Sequence, residues 1–252
     1  MDELTKEKFM LVYESERYRK HLKEAIEAIQ TAVEKCQTPA ISFSFGKDSL
    51  VCVDIAVKIK PDILIINIDR GRGGDIDEAV KMYDEYAKEH NLNYHRVKTP
   101  KEIFEIYREA GSIENLSRKD LRANLLRGIK TARELFNIDC EITGLRAEES
   151  VGRSHLNRFG TFHYSETEKI YKCKPVLHWK GDEIWAHIVG NNLPYISWYD
   201  KEAEFDSYEK ARYSNWAGLF MINEGRFARL RKNFPKEFQE LAMAFPEVKH
   251  YV

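Results

Sequence analysis

A short apolar run at residues 62–68, DILIINI, constrains the fold of this chain more than any other segment. Such a run is typical of a strand buried on both faces of a parallel sheet. Further strands are predicted over residues 40–45, 93–97 and 140–143, separated by helical patterns of roughly 10–20 residues. This alternation predicts β-α-β units and an α/β fold built on a doubly wound parallel sheet.

The same patterns divide the chain into three regions. Residues 1–36 place apolar groups at helical spacing and predict an N-terminal helical segment. Residues 37–190 hold the strands and predict the α/β domain, with a hairpin over 161–176 before a helix near 181–190. Residues 191–252 predict a mostly helical C-terminal elaboration with a basic stretch.

Composition excludes several classes of protein. The 252 residues carry 40 Lys plus Arg against 41 Asp plus Glu, and 43% are hydrophobic, which excludes a disordered or fibrous chain. No apolar run approaches the roughly 18 residues that a membrane span needs. The first residues, MDELTKEKF, show no secretory signal. We therefore expect a cytoplasmic protein without membrane association.

The four cysteines, Cys36, Cys52, Cys140 and Cys173, lie far apart in the sequence. They form no C-x-x-C pair and no Cys/His pair at zinc spacing. In a chain that is expected to be cytoplasmic, such cysteines are reduced core residues more often than disulfides.

The most informative segment is the turn that follows the first predicted strand, SFSFGKDS. A polyphosphate needs backbone N–H groups aimed at it, and a tight turn into a helix N-terminus supplies them. Gly46 lets the backbone approach closely, Lys47 adds positive charge, and Asp48 is the candidate ligand of a Mg²⁺ ion between phosphate oxygens. The spacing differs from that of a Walker A loop. The predicted phosphate contacts are Ser42, Ser44, Phe45, Gly46, Lys47, Asp48 and Ser49.

Three motifs in order resemble a known family. S-F-G-K-D-S resembles the S-G-G-K-D-S loop of the adenine nucleotide alpha hydrolases, the PP-loop ATP pyrophosphatases, although Phe45 replaces the commoner second glycine. G-L-R-A-E-E-S, which starts at Gly144 and is followed by Arg153, is similar to a segment of the phosphoadenosine phosphosulfate (PAPS) reductase-like branch. The stretch from Lys174 to Trp185 is similar to the P-L-x-x-W-x-x-x-D-[IV]-W segment of that branch.

The resemblance implies Mg²⁺-dependent cleavage of ATP between the α- and β-phosphates, with AMP passing to an acceptor oxygen that sulfur then displaces. It implies that Lys47 contacts the β- and γ-phosphates and that Asp69 contacts the ribose or a metal ion. Gly144 and Arg146 would contact the nucleotide, and Arg146 and Arg153 would neutralise developing charge. The implied acceptor or metal residues are Glu148, Glu149, Ser150 and Arg153.

The resemblance leaves several functions open. ATP pyrophosphatases of DNA phosphorothioation or tRNA thiolation are closest in type, with sulfur supplied by a separate cysteine desulfurase. The small subunit of sulfate adenylyltransferase, which works with a sulfurylase subunit, and a non-catalytic nucleotide-binding scaffold are the alternatives. PAPS or APS reductase is disfavoured, because the last cysteine is Cys173 and no cysteine follows it to act as a thiolate nucleophile. A homodimer is a further expectation.

Basic residues suggest where anionic partners bind. Two helical sets are candidate nucleic-acid contacts, and their alternative interpretation is a solvated helix face. The first set is Lys119, Arg122, Lys130 and Arg133, and the second is Arg226, Arg229, Arg231, Lys232 and Lys236. His155 and His163 flank a loop with Arg153 and Arg158, which predicts either a phosphate or sulfate contact or plain solvent exposure.

Overall fold

The computed structural model describes residues 1–213 and 225–252. Residues 214–224 of the predicted C-terminal elaboration therefore lie outside the described part of the chain. The helices are α1 (Glu3–Tyr13), α2 (Glu16–Lys35), α3 (Lys47–Ile59), α4 (Asp77–Glu89), α5 (Ile103–Ala110), α6 (Arg118–Phe136), α7 (Val151–Ser154), α8 (Gly181–Gly190), α9 (Trp198–Ala203), α10 (Arg226–Asn233) and α11 (Pro235–Ala244). The strands are β1 (Pro39–Ser42), β2 (Leu64–Asp69), β3 (Tyr94–Lys98), β4 (Cys140–Thr143), β5 (Phe162–Ser165) and β6 (Ile170–Cys173). Short 3-10 helices span Ala147–Glu149, His155–Phe159 and Pro246–Tyr251.

The strands form one sheet in the order β3-β2-β1-β4-β6-β5. β1 runs parallel to β2 and β4, β4 runs parallel to β6, and β5 pairs antiparallel with β6. The chain starts near the middle of the sheet and winds outward in both directions, which confirms the predicted α/β class. Because β1, β4 and β6 are parallel, their carboxyl ends lie on one edge of the sheet, where ligands of such folds bind.

The first strand ends earlier than the sequence predicted. A strand over residues 40–45 is wrong beyond Ser42, because Phe45 adopts a left-handed backbone conformation with φ of 60°. The Phe45 ring is fully buried and stacks on Tyr83 at a centroid distance of 5.1 Å, while Phe43 packs against the same ring at 4.9 Å. Aromatic packing thus holds a backbone conformation that a bulky residue otherwise avoids.

The described chain divides into two compact units. The first comprises Met1–Asn67, Tyr83–His95 and Arg133–Tyr213, and the second comprises Ile68–Met82, Arg96–Ala132 and, of the C-terminal residues, the described range 225–252. In the first unit Trp179 and Trp185 are buried, as the core assignment from the sequence predicted. In the second unit Phe104 and Tyr107 of α5 pack edge-on against Phe245, at 5.5 and 5.3 Å between ring centroids.

All four cysteines are free thiols buried in the first unit, which confirms their assignment to the core. Cys173 lies on the sheet face that carries α2, since its Sγ lies 3.5 Å from the Ala28 carbonyl oxygen. Within the described ranges 1–213 and 225–252, no helix has the length and hydropathy needed to cross a bilayer.

Candidate functional site

The turn between β1 and α3 leaves backbone donors open. Gly46 is the N-cap of α3 and offers no side chain to cap the first turn. The Ser49 hydroxyl donates to the Gly46 carbonyl at 2.9 Å and accepts from the Ser44 amide at 3.2 Å, which fixes the turn. Among the described residues, the amides of Asp48 and Ser49 find no acceptor. Open N–H groups at a helix N-terminus suit an anion.

Lys47 is buried inside this turn, with 1% of its surface exposed. Its Nζ donates to the Ala211 carbonyl at 2.5 Å and lies 5.3 Å from the ring centroid of Tyr199, whose hydroxyl accepts from the Lys47 amide at 2.8 Å. Burial lowers the pKa of Lys47, and the neighbouring Arg146 and Arg212 lower it further, whereas Asp48 opposes the shift. The ammonium is therefore poorly compensated and would be stabilised by an added anion.

Arg146 connects the second motif to the turn. Its Nε donates to Asp48 Oδ1 at 2.5 Å, its Nη1 donates to Glu148 Oε1, and only 3% of its surface is exposed. Glu148 Oε1 also accepts from the Gly181 amide at 2.7 Å, so it joins the second motif to the start of α8. The structure thus brings the predicted residues Lys47, Asp48 and Arg146 together in one cluster.

Gly144 lets the end of β4 touch the turn. A Cβ added at Gly144 would lie 2.6 Å from the Asp48 carbonyl carbon and 2.7 Å from the Ser49 amide nitrogen. Real Cβ atoms do not approach a backbone so closely, because close packing leaves no room for the overlap. The glycine is therefore required for this contact.

We expect Gly144→Ala to push the first turn of α3 out of place and to weaken binding of an adenine nucleotide at least tenfold, with a stability loss of about 1–3 kcal/mol. Gly152→Ala is the matched control, because its Cβ would meet nothing closer than the Ser150 hydroxyl at 3.9 Å. Urea unfolding and titration with α,β-methylene ATP measure the two effects. Equal behaviour of the two variants would contradict the assigned role of Gly144.

The third part of the cluster lies on α7 and the loop before the undescribed residues. Arg153 forms an ion pair with Glu149, and its amide donates to the Ser150 hydroxyl at 3.2 Å. Arg212 donates to the Glu149 carbonyl. Burial lowers the pKa of Arg153, and the charges of Arg212 and Arg146 add to that effect. Three arginines and Lys47 therefore concentrate positive charge near the turn.

Sequence reasoning missed three contributors to this site: Tyr199, Ala211 and Arg212. Tyr199 lies 152 positions and Ala211 lies 164 positions from Lys47, to which each of them is hydrogen-bonded. None of the three belongs to a local motif, so only the folded chain identifies them. Lys210 and Arg212 are the basic residues near these positions, and they were the one sequence feature there that could have pointed to an anion site.

The described side chains around Asp48 do not form a Mg²⁺ site by themselves. The Asp48 carboxylate already accepts from Arg146 and faces the Lys47 ammonium at 3.8 Å. In the described ranges, no group of three or more His, Cys, Asp or Glu side chains could hold a metal ion. Asp48 as a metal ligand stays a prediction.

Ser42 ends β1 at the edge where the turn begins, and Asp69 ends β2 within the second unit. The Asp69 carboxylate accepts from the Gly71 amide at 2.9 Å and lies 3.3 Å from Arg96. It lines a cavity of about 250 Å³ with Arg72. Its predicted contact with a ribose or a metal ion stays a prediction.

The predicted basic face of α6 is smaller than expected. Arg133 donates to Glu141 at 2.6 Å and to Glu168 at 2.6 Å, so its charge is already paired with two carboxylates of the first unit. Arg118 and Arg122, together with Arg70, instead line a cavity of about 190 Å³ in the second unit. Its apolar walls come from Ile103, Leu121 and Leu125. In the C-terminal set, Lys236 pairs with Asp77.

Comparison with known proteins identifies relatives of this chain. The profile of the phosphoadenosine phosphosulfate reductase domain matches residues 38–230. An adenosine 5'-phosphosulfate reductase from Oceanobacillus iheyensis is 28% identical over 210 residues, which is 77% of this chain and 84% of the relative.

Solved structures share the fold. A PAPS reductase from Candida auris, solved as a phosphate complex, superposes with a TM-score of 0.56 at 19% identity, over 70% of this chain and 83% of that one. The U34-tRNA thiolase NcsA from Methanococcus maripaludis, solved with its [4Fe-4S] cluster, gives 0.51 at 14% identity, over 93% and 80%. These matches confirm the fold that the three motifs predicted.

Proposed function

Because this chain belongs to the phosphoadenosine phosphosulfate reductase domain family, we propose that it binds ATP at the turn between β1 and α3 and cleaves it between the α- and β-phosphates. AMP would pass to an oxygen of an acceptor that then receives sulfur from a separate donor, such as a cysteine desulfurase. One observation carries the proposal: Lys47 and Arg146 converge on Asp48 beside two backbone N–H groups that have no acceptor in the described part of the chain.

In the proposed reaction an acceptor oxygen attacks the α-phosphorus, and the bond from that phosphorus to the bridging oxygen breaks. The electron pair of this bond leaves with pyrophosphate, so negative charge grows on the leaving group. Lys47 and the amides of Asp48 and Ser49 are the groups of this chain that can stabilise it. Arg146 would stabilise the α-phosphate. The protein would thus catalyse the reaction by positioning the reactants and by stabilising charge.

The thiols of this chain do not suit a reductase reaction, although the curated relative named above is an adenosine 5'-phosphosulfate reductase. A thiolate is the attacking species in such chemistry. Burial raises the pKa of Cys173 to about 12 and raises that of Cys52 well above its usual range. Cys36 and Cys140 are buried as well, and their pKa values are raised by the same cause. We therefore favour the transfer of AMP from ATP over a thiol-dependent reduction.

The cavity beside α6 favours a nucleic acid as the acceptor-bearing partner. Arg122 is exposed and finds no acidic partner among the described residues, while aliphatic side chains beside it offer a surface for a base or a sugar. Arg118 and Arg122 line this cavity and suit phosphate groups, whereas Arg70 is already paired with Asp75 at 2.9 Å. A cavity of about 190 Å³ is small for a whole ligand and suits one nucleotide group of a larger partner.

The proposal is tested by pyrophosphate release from ATP and Mg²⁺ in four arms: no acceptor, sulfate, tRNA and DNA. We expect the strongest stimulation in one nucleic-acid arm, with a steep loss as salt rises. Stimulation by sulfate alone would instead support a sulfate adenylyltransferase. ATP binding without cleavage in every arm would support a scaffold and would contradict the proposed activity. Sulfite release from adenosine 5'-phosphosulfate with a thiol reductant would indicate a reductase and would also contradict the proposed activity.

A further inference from the structure

Lys174 lies at the edge of the sheet that carries the nucleotide turn. It follows β6 directly, and β6 pairs in parallel with β4, with Cys173 opposite Ile142. Gly144 follows β4 at the same edge, one strand away. Lys174 therefore belongs to the row of strand ends along which the candidate site is built.

The Lys174 ammonium is buried and has no acidic partner within residues 1–213 and 225–252. Only 2% of its surface is exposed, and its Nζ makes one hydrogen bond among the described residues, to His163 Nδ1 at 3.1 Å. An ammonium has three donors, so two of them have no acceptor among these residues. A buried charge of this kind is costly unless an anion or further acceptors compensate it. The neighbouring Lys172, by contrast, is paired with Glu141 and Glu168.

The surroundings of the amine add further donors and positive charge. Because His163 Nδ1 accepts from Lys174, the ring proton is assigned to Nε2, which has no partner among the described residues. The Phe159 ring stacks on His163 at 4.9 Å and lies 5.8 Å from Lys174 Nζ, and this ring is itself 41% exposed. Arg158 lies over the Phe159 ring at 4.6 Å.

We propose that Lys174 and His163 form a subsite for a tetrahedral oxyanion, a sulfate or phosphate group that the acceptor carries. The unsatisfied donors of Lys174 and the Nε2–H of His163 would hold its oxygens, and Phe159 would have to turn aside to admit it. The role as acceptor subsite rests on the proposed function, whereas oxyanion binding itself does not. The same chemistry suits a free sulfate or phosphate ion and a nucleic-acid phosphodiester.

An oxyanion subsite and a purely packing role of Lys174 predict different effects of Lys174→Met on anion binding. If the lysine stem only fills space, Lys174→Met keeps its volume, removes an uncompensated charge and leaves anion binding unchanged. If the ammonium binds an oxyanion, the same substitution removes the charged donor. A charge-assisted hydrogen bond of this type corresponds to a tenfold or greater change in affinity.

The experiment is calorimetric titration of inorganic sulfate, inorganic phosphate and the dinucleotide d(TpT) into protein saturated with α,β-methylene ATP, which occupies the nucleotide turn and cannot be cleaved there. We expect Lys174→Met to weaken the probe that binds best about tenfold or more. Lys169→Met is the control, because that side chain lies at the turn of the same hairpin and is 70% exposed. His163→Phe keeps the ring stack, removes both ring nitrogens and should also weaken binding.

The outcomes separate the two proposals. Preference for sulfate or phosphate assigns a free ion, and preference for d(TpT) assigns a phosphodiester. Equal affinity in Lys174→Met and Lys169→Met would overturn the subsite, as would failure of all three probes to bind the wild-type protein. If α,β-methylene ATP does not bind, the proposed function fails, and the comparison of the two lysine variants without nucleotide still decides the role of Lys174.

Discussion

Lys47→Met should reduce pyrophosphate release from ATP by about 100- to 1,000-fold, because removal of one charged donor from a preorganised site has effects of that size. The variant should stay folded. The methionine keeps most of the buried volume, and the loss of an ammonium whose pKa is lowered by burial removes a destabilising term. Turnover in the best acceptor arm and the thermal midpoint measure the two expectations.

The control for this variant is Lys60→Met, just beyond the same helix, where the lysine pairs at the surface with Asp62. Surface pairs of this kind contribute little, so its turnover and midpoint should match the wild type. Turnover of Lys47→Met within a few-fold of the control would refute the assignment of Lys47 to the leaving phosphates. A large fall in the midpoint would show instead that Lys47 serves the fold.

Much of the fold could be predicted from local pattern. The apolar run that became β2 is short and rich in isoleucine, which favours a buried strand over a helix, and the alternation with helices left one fold class. The glycine, lysine and aspartate of the turn lie within three positions, so one motif identified them. Local sequence patterns were therefore sufficient for the strand, the fold class and the turn, because the contacts that define them join residues close together in sequence.

The rest of the site depends on contacts between distant positions. The early end of β1 follows from the packing of Phe45 on Tyr83, which no window of sequence contains. Lys174 looked like one basic residue among many, and only the fold shows that, in the described part of the chain, it has no acidic partner such as the one that Lys172 has. Arg133 is the converse case: its spacing placed it on an open basic face, yet Glu141 and Glu168 neutralise it.

Arg146→Lys should lose both stability and activity although the charge is kept. The guanidinium binds Asp48 through Nε and Glu148 through Nη1, and a single ammonium cannot reproduce that fork. One carboxylate is then left without its partner in a site where the arginine is 3% exposed. We expect a loss of about 1–3 kcal/mol in unfolding free energy. Pyrophosphate release should fall about 10- to 100-fold, because Asp48 is no longer fixed by the guanidinium and the turn loses its position relative to the nucleotide.

Two further variants separate charge from geometry. Arg146→Met removes the charge as well and should cost more than Arg146→Lys, because Asp48, which is 17% exposed, and Glu148, which is 44% exposed, both lose their charged donor. Arg17→Lys is the control, because Arg17 also contacts two carboxylates, Asp182 at 2.7 Å and Glu183 at 3.4 Å, yet it is 40% exposed and has no contact with Asp48 among the described residues. Its effect on urea midpoint and turnover should be small. If Arg146→Lys behaves like Arg17→Lys, positive charge at position 146 is sufficient and the forked contact does not organise the site.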